Sequence, residues 1–201
     1  MLTARIAVLA SGGGTNLQAL IDSQGGVLTS GSISLVIADR PGLQAEVRAR
    51  TAGIPAVVIP RREDGFEAGV LRTLEEHRID LLILAGFLGI LSQDFIKTFP
   101  GPILNIHPSL IPAFCGKGFY GLRVHRAALE RGVKLTGATV HLVNEIPDGG
   151  QILLQKAVEV RPGDTAERLQ SRVLREAEWK LLPQAAELIS ARLAREKEKK
   201  L

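Results

Sequence analysis

Two polar residues at the end of a short apolar run could act together on a carbonyl group. Asn105 and His107 stand two residues apart, so on a β-strand their side chains would point to the same side of the sheet. Pro108 follows directly and places both at the end of that strand. An amide and an imidazole can both donate hydrogen bonds to an oxygen on which negative charge develops. The pair therefore predicts acid–base and oxyanion-stabilising chemistry.

An acid in a glycine turn could complete this pair. Asp148 precedes two glycines and follows a second histidine-bearing strand, which contains His141. A carboxylate beside an imidazole orients it and raises its pKa, so we expect Asp148 to keep His107 protonated. Two histidines and a carboxylate could instead hold a divalent metal. However, no His-x-x-x-His spacing occurs and His141 lies within an apolar strand, so we expect metal-free chemistry.

A run of three glycines marks a second site, which suits an anion. Residues 11–16 read Ser-Gly-Gly-Gly-Thr-Asn and stand between an apolar run and a helical pattern. Backbone N–H groups in such a loop, together with the helix N-terminus, favour a phosphate group. Leu17 replaces the third glycine of a dinucleotide-binding loop, although Asp39 stands where a ribose-binding acid would be. A single phosphate group is the favoured ligand, and a tight turn without ligand is the alternative.

The elements that must position these groups follow from hydrophobic periodicity. Short apolar runs predict buried strands at residues 6–10, 35–38, 56–59, 81–84 and 103–106, and helical spacing lies between them. Longer strands follow at residues 135–143 and 151–158, joined by a turn at residues 147–150. We predict an α/β fold: a single doubly wound, mostly parallel sheet flanked by helices, with a Rossmann-type N-terminal half.

The segment after these strands predicts a long helix. Asp164 and Glu167 are spaced like a capping pair at its start. Pro183 should end or kink that helix, or begin the next one.

Composition excludes several classes of protein. The chain has 201 residues, 45% hydrophobic and 23% charged, which is typical of a globular protein. Five basic against two acidic residues in 191–201 account for +3 of the net +4, so we expect no nucleic-acid partner. The longest apolar stretch, residues 81–91, is shorter than the ~20 residues of a membrane span. With a single cysteine, Cys115, and no visible signal peptide, we expect a cytoplasmic protein without a membrane partner.

Five motifs in order resemble the phosphoribosylglycinamide formyltransferases of purine biosynthesis. They lie at residues 11–19, 84–87, 105–110, 137–141 and 148–150. The resemblance implies transfer of the formyl group of 10-formyltetrahydrofolate to the amine of 5-phosphoribosylglycinamide, in de novo purine synthesis and without a metal. It implies that Asn105, His107 and Asp148 are catalytic, with Asn105 and protonated His107 holding the oxyanion.

The same resemblance assigns binding residues. It implies contacts to the substrate phosphate and ribose from Gly14, Thr15, Asn16 and Glu178. It implies contacts to the folate from Leu88, Gly89, Ile90, Leu91, Asn105, Asn144 and Asp148. The family often has Met-Arg where this chain has Leu88 and Gly89. A second family arginine, near the folate carboxylates, has no counterpart here, because Phe66 stands nearest its position.

The expected organisation is one formyltransferase domain over residues 1–190. Residues 1–100 would form its phosphate-binding half, 101–190 its folate-binding and catalytic half, and 191–201 a charged tail. The enzyme would be a monomer or a homodimer. We expect Cys115 to be structural, and His77 and His125 to lie on helices outside the site.

Three other functions use part of the same pattern. Formyltetrahydrofolate hydrolases share the Asn–His–Asp set, but they carry an additional N-terminal domain and usually His where this chain has Pro108. Methionyl-tRNA formyltransferases add a C-terminal RNA-binding domain. A nucleotide-binding module without catalysis would need the glycine loop but not the other three residues together. We expect the transferase.

Overall fold

The computed structural model describes residues 3–199 and contains one seven-stranded sheet of order β3-β2-β1-β4-β5-β6-β7. Its strands are β1 (Ala4–Ala10), β2 (Gly31–Ala38), β3 (Ala56–Val58), β4 (Leu81–Leu84), β5 (Ile103–His107), β6 (Leu135–Leu142) and β7 (Ile152–Glu159). The helices are α1 (Thr15–Ser23), α2 (Gln44–Thr51), α3 (Phe66–Glu76), α4 (Gln93–Thr98), α5 (Leu122–Arg131), α6 (Ala166–Val173) and α7 (Trp179–Glu198).

The sheet is parallel from β3 through β5 and antiparallel at β6 and β7. Helices cover both faces, so the central strands are buried on each side and carry unbroken apolar runs. The predicted α/β class and mostly parallel, doubly wound sheet are therefore confirmed. In such a sheet the carboxyl ends of parallel strands share one edge, where ligands bind.

The last helical region differs from the prediction in two details. Thr165, not Asp164, caps α6: its hydroxyl accepts from the Arg168 amide at 3.3 Å. Asp164 instead pairs with the Arg172 guanidinium at 2.6 and 2.7 Å. Pro183 lies inside α7 rather than at a helix end. A π-helical segment (Leu174–Glu178) joins α6 to α7 just before the position where the proline removes a backbone donor.

The charged C-terminal residues continue the same helix as far as residue 198, and residues 200–201 lie outside the described part of the chain. Among residues 3–199, no helix has the length and apolar character to cross a membrane. The division into two halves and a tail stays a prediction.

Candidate active site

One cavity of about 550 Å³ opens at the carboxyl edge of β1, β4 and β5. Its wall contains the glycine loop, the segment after β4, the end of β5 and the turn before β7. All the predicted site residues line it, although they come from five separate parts of the chain: Gly14, Thr15, Asn16, Leu88, Gly89, Ile90, Leu91, Asn105, His107, Asn144, Asp148 and Glu178. The volume suits a small organic ligand.

His107 lies at the end of β5 and is only 4% exposed. Its Nε2 is 2.9 Å from the carbonyl oxygen of Phe114, so that nitrogen must carry the proton and donate. Nδ1 faces Asp148 Oδ2 at 3.5 Å. Burial lowers the pKa of His107 and outweighs Asp148 and the Phe114 carbonyl, which raise it. The expectation that Asp148 keeps this imidazole protonated is therefore wrong, because desolvation is the larger effect.

Asp148 is held in place by the turn that carries it. Its backbone is left-handed, with φ 56, and its Oδ2 accepts the Gly116 amide at 2.8 Å. Burial alone would raise the pKa of Asp148, but the contacts with His141, His107 and the Gly116 amide together lower it. The side chain is therefore a carboxylate at neutral pH, beside a neutral imidazole.

His141 joins this group, which the sequence analysis did not predict. In the antiparallel pairing of β5 with β6 it lies opposite Asn105. Its Nδ1 donates to the Leu142 carbonyl at 2.8 Å, which leaves Nε2 to accept from Asn105 Nδ2 at 3.1 Å. Asn105 Nδ2 also contacts Asp148 Oδ1 at 3.4 Å. The polar residues Thr139 and His141 alternate with apolar ones in β6, and that alternation was the available signal.

The glycine loop and the π-helical segment meet on the opposite side of the cavity. Gly14 has φ 68, and a Cβ there would lie 2.7 Å from the Ala45 Cα, so only glycine fits. The buried Asn16 donates to Glu178 Oε2 at 2.7 Å. Burial raises the pKa of Glu178 to about 7, and the Asn16 bond opposes this. The site thus presents a glycine loop beside a carboxyl group that gains charge near neutral pH.

Asp39 does not face this cavity. Its Oδ2 accepts from the Ser11 hydroxyl at 2.7 Å and lies 3.3 Å from Arg61 Nε. The same Ser11 hydroxyl accepts the Leu88 amide at 2.9 Å. Asp39 therefore links the glycine loop to the segment after β4, and a role as a ribose-binding acid of a dinucleotide site is not supported.

The position where the family often has arginine is filled by other side chains. A Cβ at Gly89 would lie 2.5 Å from the Phe87 ring and 3.0 Å from Arg61 Cδ. Phe66, nearest the second family arginine, is buried at the start of α3, with its ring centroid 6.2 Å from that of Phe87. Arg61 is thus the cation that packs over Gly89.

Cys115, His77 and His125, which we expected to have no catalytic role, lie in three different environments. Cys115 lies in the loop after β5, and burial, together with Asp148, raises the pKa of its thiol, which disfavours a nucleophilic thiolate. His77 ends α3, away from the cavity. His125 is fully buried in α5 with neither ring nitrogen bonded, and burial lowers its pKa to about 4. In the described range, no three His, Cys, Asp or Glu side chains are arranged to hold a metal ion.

The chain is similar to known proteins over most of its length. Residues 4–186 match the family described as formyl transferase. The chain is 39% identical over 183 residues to phosphoribosylglycinamide formyltransferase of Haemophilus influenzae, covering 89% of this chain and 84% of that protein. It is 45% identical over 192 residues to the human trifunctional purine biosynthetic protein adenosine-3, covering 94% of this chain but only 18% of that longer protein.

Solved structures give the same result. Glycinamide ribonucleotide transformylase 1 from Symbiobacterium toebii superimposes with a TM-score of 0.86 at 41% identity, over 94% of this chain and 88% of that one. Phosphoribosylglycinamide formyltransferase from Brucella melitensis superimposes with a TM-score of 0.84 at 40% identity, over 94% and 96% of the two chains.

Proposed function

The chain belongs to the formyl transferase family, and we propose that it is a phosphoribosylglycinamide formyltransferase. It would transfer the formyl group of 10-formyltetrahydrofolate to the amine of 5-phosphoribosylglycinamide, giving 5-phosphoribosyl-N-formylglycinamide and tetrahydrofolate in purine biosynthesis. The observation that carries the proposal is the convergence of Asn105, His107 and Asp148 in the cavity that the glycine loop also lines. A donor pair, a proton acceptor and an anion cradle are the parts that this reaction needs.

Binding would use the two sides of the cavity. The phosphate of the nucleotide substrate would lie on the amides of Gly14, Thr15 and Asn16, with Glu178 near its ribose. The folate would lie against the apolar wall of residues 88–91 and the turn at residues 144–148, which carries Asn144 and Asp148. Bound in this way, the two substrates would hold the amine close to the formyl carbon, and such positioning supplies a large part of catalysis.

The first step forms the new C–N bond. The substrate amine attacks the formyl carbon, and negative charge develops on the formyl oxygen. Asn105 Nδ2 would donate to that oxygen by giving up its long contact with Asp148 while it keeps its bond to His141. Removing one such donor lowers kcat by ~10²–10³-fold in comparable enzymes.

Proton transfer would follow through Asp148 and His107. The amine loses a proton as its new bond forms, and the Asp148 carboxylate accepts it. The oxyanion raises the pKa of the neutral His107, which takes that proton at Nδ1 and becomes the second donor. When the intermediate collapses, the bond between the formyl carbon and the folate nitrogen breaks, and that nitrogen takes the proton. No covalent enzyme intermediate forms.

The test is formyl transfer by purified variants at saturating concentrations of both substrates. His107→Ala and Asp148→Asn should each lower kcat by ~10²-fold or more. His77→Ala is the matched control, because this histidine bonds the Thr73 carbonyl within α3, outside the cavity. Near-normal turnover by both site variants would exclude the assignment.

The same assay separates the related functions. Loss of formyl groups from the folate should depend on added 5-phosphoribosylglycinamide. Formyl loss to water alone would identify a hydrolase, and transfer to methionyl-tRNA would identify the tRNA-modifying enzyme. A monomer or homodimer in the cytoplasm, with no nucleic-acid or membrane partner and no metal, completes the proposal.

A further inference from the structure

Three consecutive carbonyl groups of the glycine loop are bonded from outside the cavity. The Ser11 carbonyl accepts from Arg40 Nη2 at 2.6 Å. The Gly12 carbonyl accepts from the Ala45 amide at 3.3 Å, at the start of α2. The Gly13 carbonyl accepts from Arg48 Nε at 2.9 Å. One short stretch, from Arg40 to Arg48, therefore supports every peptide group of the loop's first turn.

These bonds set the direction of the loop amides. In a trans peptide the C=O of one residue and the N–H of the next point in opposite directions. Carbonyls held outward therefore turn the amides of Gly12, Gly13 and Gly14 away from Arg40 and Arg48. Within residues 3–199 these three amides have no acceptor in the protein, and the loop that carries them lines the cavity. Converging free amides are the arrangement that binds an anion.

Arg48 makes two bonds that depend on its shape. While Nε bonds the Gly13 carbonyl, Nη1 bonds Gln18 Oε1 on α1 at 2.9 Å. A lysine ammonium could carry the same charge but could not hold both acceptors in this geometry. Neither Arg40 nor Arg48 pairs with a carboxylate in the described part of the chain. The guanidinium groups therefore bond the loop carbonyls without an ion-pair partner.

We propose that Arg40 and Arg48 are positioning residues for the phosphate of the nucleotide substrate. They act through the loop, by fixing its peptide planes and by adding positive potential behind it, and they do not touch the ligand. Since Arg48 joins the loop to α1, it should matter more than Arg40, which makes one bond. This inference rests on the proposed function, because it assigns the loop's anion to that substrate.

The test compares a phosphorylated with an unphosphorylated substrate. For Arg48→Ala we expect the KM for 5-phosphoribosylglycinamide to rise about tenfold, with kcat and the KM for the folate unchanged. With the dephosphorylated riboside, kcat/KM should equal that of the wild type. Arg48→Lys should recover only part of the loss. The control is Arg50→Ala on the same helix, where Arg50 pairs with Glu46. An equal loss on both substrates would overturn the proposal.

Binding of inorganic phosphate separates this inference from the proposed function. Thermal denaturation is followed with increasing phosphate for the wild type, Arg48→Ala and Arg50→Ala. Stabilisation that Arg48→Ala loses and Arg50→Ala keeps supports the positioning role, even if no formyl transfer is found. Equal stabilisation of all three proteins overturns the role, even if formyl transfer is confirmed.

Discussion

Ionisation of the Glu178 carboxyl group should lower the free energy of unfolding at high pH. Replacing Glu178 with glutamine should show the size of this loss. The carboxyl group is buried, and this burial raises its pKa from 4.5 to about 7. Between these values the folded state holds a proton that the unfolded state has released. Stability from this group is therefore present at low pH and is lost as pH rises to about 7.

The size of the effect follows from the shift. The difference between about 7 and 4.5 corresponds to about 3 kcal/mol, at ~1.4 kcal/mol for each pKa unit. Glu178→Gln keeps an acceptor for Asn16 but cannot ionise. We compare the free energy of unfolding of the variant with that of the wild type at each pH. The variant's advantage should be about 3 kcal/mol larger at pH 8 than at pH 4.5. For a protein of this size, that is about 6–12 °C in Tm.

The measurement is urea and thermal denaturation of both proteins at pH 4.5 and 8. Other titrating groups are shared, so they cancel in the difference. Glu176→Gln is the control, since Glu176 is exposed in the same π-helical segment. A stability difference that does not change with pH would refute the reasoning. Glu178→Gln should bind the nucleotide substrate more weakly, because the carboxylate that destabilises the folded protein is the group proposed to contact the ribose.

Three further substitutions test other parts of the structure. Because the buried His125 has a pKa of about 4 in the folded protein, it should cost about 3 kcal/mol of stability as pH falls from 6.5 to 4. His125→Phe should remove this loss, and an unchanged pH dependence of urea unfolding would contradict the prediction. Asp164→Ala should lower the free energy of unfolding by about 1–3 kcal/mol at pH 7, because Arg172 would lose its carboxylate and keep only the Glu159 carbonyl as acceptor. An unchanged urea midpoint would argue against the pair. His141→Leu should lower kcat about tenfold at unchanged KM, since Asn105 loses its acceptor on His141. Steady-state kinetics on both substrates measure this effect, and an unchanged kcat would show that Asn105 does not need the bond.

Much of the fold could be predicted because its signals are local. Strands buried on both faces are rich in apolar residues, and the apolar segments at residues 81–84 and 103–106 match β4 and β5 to within one residue. The spacing of Asn105 and His107 on one side of a strand follows from the two-residue period alone. The glycine loop is equally local, since left-handed backbone at Gly14 requires glycine wherever the chain goes next.

The helix cap shows where local reasoning was insufficient. Asp164 and Thr165 are both good capping residues, and the choice between them was made by Arg172, which lies eight positions along the chain and binds the aspartate. The helix then continued through Pro183, where a sequence pattern predicts an end or a kink.

The tertiary structure decided the chemistry of the site. His141 reaches Asn105 through the pairing of β6 with β5, and Glu178 reaches Asn16 across 162 residues of sequence. The protonation of His107 is also decided by tertiary structure, because its pKa depends on burial and on the nearby Asp148, and burial is the larger effect. Residue types and spacing thus determined which groups were available and on which strand ends. Their partners and charges depend on desolvation and on long-range contacts, which exist only once the chain has packed.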